Sequence, residues 1–168
     1  KMPFAKNSIQ GVLNATLNIG GTGLNPDEIT SSWKGTGTVA VKDAVFSTLD
    51  LGKQIKDGAI DKLPEMIRSR VKIPEKFADW KGEYQRVDIK YALAGGALTV
   101  TDIVGKAYPN KGLDLKGNGT VTLRDYGLNM NADFIDTYNM FGLDDQVRDE
   151  RYGHFVLPAK VGNTLFSP

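Results

Sequence analysis

Leu113 to Phe134 reads LDLKGNGTVTLRDYGLNMNADF, and its alternation decides the fold. Leu113, Leu115, Gly117, Gly119, Val121 and Leu123 hold one parity, while Asp114, Lys116, Asn118, Thr120, Thr122 and Arg124 hold the other. Successive side chains of a strand point to opposite faces, so this pattern describes a strand with one apolar and one polar face. It resumes as Leu128, Met130, Ala132 and Phe134 after a turn near Tyr126 and Gly127. Two long neighbouring strands therefore share one apolar face.

The same period extends in both directions. Val87, Ile89, Tyr91 and Leu93 alternate, and Leu98 and Val100 follow after a turn at Gly95 and Gly96. Gly35 to Val41 forms a strand with Val39 and Val41 on one face and Thr38, Ala40 and Lys42 on the other. From Ile9 to Ile19 the odd positions Ile9, Gly11, Leu13, Ala15, Leu17 and Ile19 predict a strand with one buried face, the partner of the Gly35 strand. Phe155, Leu157, Ala159 and Val161 predict the last strand, after a short helix over Tyr138 to Leu143 and a charged loop from Asp144 to Arg151.

Helical periodicity occurs in two places. Asn25 followed by Pro26, Asp27 and Glu28 has the residues of an N-cap, a first-turn proline and an acidic first turn, predicting a short helix to about Trp33. Leu51, Ile55, Ala59, Ile60 and Leu63 fall on one helical face opposite Lys53, Lys56, Asp57, Asp61 and Lys62. Pro64 ends or bends that amphipathic helix near Leu63, with Met66 and Ile67 continuing its stripe, and Ile73 to Glu83 reads as a polar connection. The fold class is thus α+β, mainly β: a twisted antiparallel sheet of roughly six to eight strands, with the Leu51 to Leu63 helix covering its apolar face. All 168 residues fit one domain.

Composition excludes several function classes. Lys and Arg total 21 against 20 Asp and Glu, and no basic run interleaves with aromatics, which argues against a nucleic-acid partner. With no cysteine, disulfides, thiolate metal sites and thiol nucleophiles are absent together. No apolar run reaches the roughly 18 residues of a membrane span, and KMPFAKNSIQG lacks the apolar core of a signal peptide. The start at Lys1, without Met, is expected of a piece excised from a longer protein.

Catalytic and metal chemistry finds few candidates. His154 is the single histidine, so a hydrolase would have to build on it and a neighbouring carboxylate; a place beside the last strand is its simpler role. Asp114, Asn118, Gly119 and Asp125 imitate a calcium loop, but Lys116 occupies a ligand position and the alternation fits a strand. The glycines at 20 to 23 and 35 to 37 lack the Lys and Ser or Thr of a phosphate loop. Asp144, Asp145, Asp149 and Glu150 are interspersed with Arg148 and Arg151, the composition of a solvated loop. The expectation is a protein that is not an enzyme and uses no metal or cofactor.

Three stretches resemble the C-terminal region of the AsmA family, envelope proteins of Gram-negative bacteria that include TamB and are related to chorein-type lipid-transfer proteins. They are GTGTVAVKDAVFSTLDLGKQI from Gly35 to Ile55, the Leu113 to Phe134 pair quoted above, and FVLPAKVGNTLFSP from Phe155 to Pro168. Val45 departs from the pattern, standing where the family often has glycine after Lys-Asp. The resemblance implies a periplasmic module of an inner-membrane-anchored protein, concerned with outer-membrane biogenesis or inter-membrane lipid transport, and no catalytic residues. The partners it implies are phospholipid acyl chains and envelope proteins. An apolar-lined groove would be built from Val87, Ile89, Tyr91, Leu113, Leu115, Val121, Leu123, Leu128 and Met130, unless these side chains simply pack under the helix as a core. The alternative is a structural or docking domain that binds an envelope protein through a free sheet edge, without lipid.

Overall fold

The computed structural model describes residues 10–46, 50–123, 127–143 and 147–164. Seven strands form one antiparallel sheet in sequence order: β1 (Gln10–Gly20), β2 (Lys34–Val45), β3 (Glu83–Ala94), β4 (Ala97–Ala107), β5 (Asp114–Thr122), β6 (Gly127–Ile135) and β7 (Val156–Thr164). No strand crosses over another, so β1 and β7 are the two edges. The mainly β antiparallel sheet expected from the alternation is what forms. The β3–β4 turn falls on Gly95 and Gly96, whose positive φ of 58° and 76° is the backbone that a two-residue hairpin demands.

Register lines up the predicted apolar positions across the whole sheet. Val41, Val87, Gly105, Leu115, Phe134 and Leu157 form one row, and Gly37, Tyr91, Val100, Gly119, Met130 and Val161 form another further along. Keeping these rows on one face requires changes of phase. A register shift between Val100 and Ile103 inserts an extra residue in β4, and another between Tyr84 and Arg86 does so in β3. The second shift turns Tyr84 inward to face Ala44 and Ala107, all three fully buried.

The segment between β2 and β3 packs on one end of the apolar face. α2 (Leu51–Gly58) buries Gly52 and Ile55, and a short 3-10 turn over Ile60–Lys62 buries Ile60. The amphipathic stripe is therefore broken at Ala59, earlier than the expected bend near Leu63, with Gly58 closing the helix. Pro64 precedes the four-residue α3 (Glu65–Arg68). Ile73 to Glu83, expected as a polar connection, instead supplies two core aromatics, Phe77 and Trp80, each 3 % exposed. Their rings stack 5.8 Å apart, and Phe77 meets Phe141 edge-on at 5.0 Å. Gly52 admits this packing, since its N–H donates to the Trp80 carbonyl at 2.8 Å and a Cβ there would strike the Phe77 carbonyl.

Tyr138 to Leu143 forms hydrogen-bonded turns, not the expected short helix. The buried Asp136 carboxylate accepts the Met140 and Phe141 N–H groups at 2.8 Å each, and Asn139 and Gly142 take positive φ of 50° and 67°. Those turns drive Phe141 and Leu143, both fully buried, into the core under β6 and β7. The expected strand beginning at Ile9, the turn at Tyr126, and Asp144 to Gln146 fall partly or wholly outside the described residues.

A buried hydroxyl in this core makes a simple test of the packing. Tyr84 is fully buried, its Oη has no hydrogen-bond partner among the described residues, and burial pushes its phenol well above the ordinary range. Leaving such a group unpaired costs about 1–3 kcal/mol. Tyr84→Phe is therefore expected to raise stability by about 1 kcal/mol, or Tm by about 2–4 °C; a lower Tm would show that the hydroxyl is bonded.

Candidate functional site: an apolar trough

The core occupies only one half of the apolar face. Val41, Val87, Leu113, Phe134 and Leu157 belong to it, sealed by Ile55, Ile60, Phe77 and Trp80, with Phe141, Leu143 and Phe155. Of the nine residues expected to line a groove, Val87 and Leu113 are thus buried at 2 % and 0 % exposure and serve packing. Ile89 and Leu115 are half-buried against that core. Tyr91, Val121, Leu123, Leu128 and Met130 lie beyond it and are half-buried. These five are neither members of the core nor among the side chains packed against it, so this part of the apolar face lies outside the main core.

This half is concave, and glycines make it so. A Cβ at Gly35 would fall inside the Asn18 carbonyl oxygen of β1, and one at Gly119 would do the same with the Asn129 carbonyl oxygen of β6. At Gly37 it would strike the Tyr91 hydroxyl and ring, which lie across it, and stand 2.6 Å from the Thr16 oxygen, and at Gly117 it would stand 2.8 Å from the Asn131 oxygen. All four glycines lie on the apolar face, paired with Leu93, Tyr91, Ile103 and Val100. Collision with the backbone of the next strand means that β1 folds toward this face over β2, and β6 over β5. Glycine on the inner side is what permits so sharp a curl. Leu93 and Val100 are buried at 4 % and 7 % exposure although they lie outside the main core, as side chains at the bottom of a curled sheet would be.

The trough is closed at one end and open at the other. α2, the Phe77 turn and the turns at Tyr138 to Leu143 fill the closed end. There Asp114, 7 % exposed, accepts from Lys106 Nζ at 2.5 Å, the Ala107 N–H at 2.9 Å and Thr137 Oγ1 at 2.8 Å. Its hydrogen bond raises the Lys106 amine above the ordinary range. These bonds commit the one buried calcium-like carboxylate to joining β4, β5 and the turn after β6. At the open end α1 (Pro26–Ser32), capped by Asn25 accepting the Glu28 N–H at 2.9 Å, links β1 to β2 and leaves Leu24 99 % exposed.

The outer face of the sheet is polar, with Arg86 paired to Asp88 at 2.7 Å and Arg151 to Asp133 at 3.0 Å. A polar cleft of about 350 Å³ lies on that side under Arg151 and Tyr152. A second, of about 480 Å³, lies at the closed end between Phe77, Trp80, Tyr108 and Met140. Neither is lined by Tyr91, Val121, Leu123, Leu128 or Met130. His154 is half-buried in the loop before β7, its carbonyl accepting the Asp149 N–H at 2.9 Å. No group of three or more His, Asp or Glu side chains gathers as a metal site among the described residues. The feature that sequence reasoning missed is the role of the inward glycines: Gly117 and Gly119 count there only as members of the apolar parity, and Gly35 and Gly37 only as glycines without a phosphate-loop pattern.

No protein-family model, curated protein or solved structure matches this chain.

Proposed function

We propose that the chain is a non-enzymatic module that shelters phospholipid acyl chains in the open half of its curled sheet, as part of lipid transport between membranes or outer-membrane biogenesis. The observation that carries this reading is the set of half-buried apolar side chains Tyr91, Val121, Leu128 and Met130, which lie on one face of the sheet outside the core that the helix already covers. An apolar sheet face needs a cover in water, and the covering segment of this chain stops short of it. The likeness of Gly35 to Ile55 and Leu113 to Phe134 to the AsmA family supports a periplasmic setting on an inner-membrane-anchored protein.

Magnitudes favour passage over storage. Burying about ten methylenes of each acyl chain at ~0.8 kcal/mol apiece contributes about 16 kcal/mol for the two chains of a phospholipid, while association costs about 4–15 kcal/mol. A surface open along one side buries only part of each chain, so an acyl chain there would be held weakly enough to slide. Val121 on β5 and Leu128 and Met130 on β6 would touch it, while the polar outer face stays in water.

Native mass spectrometry of the protein purified from bacterial membranes tests this directly. Phospholipid is expected to co-purify, and a Leu128→Asp, Met130→Asp variant that keeps its circular dichroism is expected to carry at least about ten-fold less, each buried charge costing several kcal/mol. A lipid-free wild-type protein would defeat the reading. It would favour the second one, an envelope protein docking by strand addition at a free edge, for which the support is that β1 and β7 each have one side unpaired among the described residues.

A further inference from the structure

The two edges left free among the described residues differ in chemistry. β7 carries Pro158 in mid-strand and an exposed Lys160, the residue types by which an edge is protected from further pairing. β1 has neither: QGVLNATLNIG contains no charge and no proline, and all eleven residues are exposed. Val12, Leu13 and Leu17 are each 60 % exposed or more. A long, neutral, apolar edge is a strand prepared for a partner.

β1 is also complementary to itself. Its regular ladder with β2 runs from Val12 to Gly20, and the middle of that stretch is Thr16. An antiparallel copy related by a two-fold axis at Thr16 would set Leu13 opposite Ile19 and Ala15 opposite Leu17 on the trough side. Asn14 would face Asn18 on the outer side. Only Thr16, on the axis, meets its own copy, and because β1 contains no charged residue no like charges oppose one another anywhere in the pairing. Pairing β1 with β7 would instead be head-to-tail, would propagate as a filament, and would have to seat Pro158 and Lys160.

We propose that β1 is a self-association edge, pairing antiparallel with β1 of a second copy about Thr16 to close a two-fold dimer. The two seven-stranded sheets then become one continuous sheet, and the inner face of each copy lies on the same side, because odd residues of β1 stay opposite odd residues. This rests on the chemistry of the edge and not on lipid binding. A nine-residue ladder about 31 Å long is a small interface beside the standard ~1,600 Å², so the dimer should assemble in the micromolar range.

The absence of native cysteine makes cross-linking decisive. Single variants Thr16→Cys, Asn14→Cys, Asn18→Cys and Lys160→Cys would be oxidised at about 50 µM, a concentration suited to an interface of this size, and run on non-reducing gels. Opposed residues at antiparallel spacing satisfy disulfide geometry. Thr16→Cys alone is expected to form mostly disulfide dimer. Asn14→Cys and Asn18→Cys should each stay largely monomeric and cross-link when mixed, and wild type should sediment as a dimer at that concentration. A monomeric wild type together with Thr16→Cys no more cross-linked than Lys160→Cys would overturn the proposal. So would cross-linking of Thr16→Cys to Lys160→Cys, which would mean a head-to-tail contact.

Discussion

Phe141→Ala is expected to destabilise the fold by about 3–5 kcal/mol, lowering Tm by some 6–20 °C. Phe141 is fully buried, and its ring meets Phe77 at 5.0 Å and Phe155 at 6.1 Å, both edge-on. Its backbone is held as firmly: the N–H donates to Asp136 at 2.8 Å and the carbonyl accepts from Lys72 at 3.0 Å. One side chain therefore joins the segment between β2 and β3, the turns after β6 and the start of β7. The remaining core cannot collapse into the space, because the sheet on one side is continuous and the helix on the other is pinned by Gly52 against the Phe77 carbonyl. Denaturant unfolding checks it, with Val161→Ala, 38 % exposed, as a control that should change stability by less than about 0.5 kcal/mol. A loss under about 1 kcal/mol for Phe141→Ala would mean that the closed end is not the fold's principal core.

The strands were legible in the sequence because their information is local. A period of two over Leu113 to Phe134 is enough to assign both strands and their shared face, and the same holds for Val87 to Leu93 and for Phe155 to Val161. What local pattern could not supply was anything set by distant partners. Phe77 and Trp80 stand among Glu75, Lys76, Asp79 and Lys81, and only their meeting with Phe141 and Gly112 makes them core. The β4 phase change at Thr101 and Asp102 interrupts the alternation that would have extended the strand from Val100 to Ala107. The alternation of β1 predicts a buried face, yet Leu13 and Leu17 are exposed at 64 % and 60 % because the edge has no layer above it.

The candidate site was half legible for the same reason. Nine side chains on one face follow from parity alone, but parity does not say how far along the strands the covering helix reaches. Cover from the segment between β2 and β3 reaches Val87, Leu113 and their neighbours, and Tyr91 and Met130 lie outside that core. The reach of the cover thus separates packing residues from candidate ligand contacts.

Gly119→Ala and Gly35→Ala are expected to cost about 2–3 kcal/mol each, the reverse of what strand propensity predicts. Alanine in a strand interior ordinarily improves on glycine by roughly 0.5–1 kcal/mol through chain entropy. Gly20→Ala, with nothing within 4 Å of the new methyl group, should therefore be neutral or mildly stabilising. At Gly119 the methyl group meets the Asn129 carbonyl and the Met130 Cα at 2.7 Å, and at Gly35 the Asn18 carbonyl and the Ile19 Cα at 3.0 Å. These are backbone atoms of the neighbouring strand, so no rotamer change relieves them; the strand itself must swing away from the apolar face. Relief of the clash flattens the sheet, which widens the trough and exposes Tyr91 and Met130 together with the stability loss. Thermal melts of the three variants decide the sign, and binding of a hydrophobic dye, expected to rise for Gly119→Ala and not for Gly20→Ala, reports the flattening. If Gly119→Ala and Gly35→Ala prove as stable as Gly20→Ala, the curl at those positions is not fixed by glycine, and the concave surface proposed to hold acyl chains loses its structural cause.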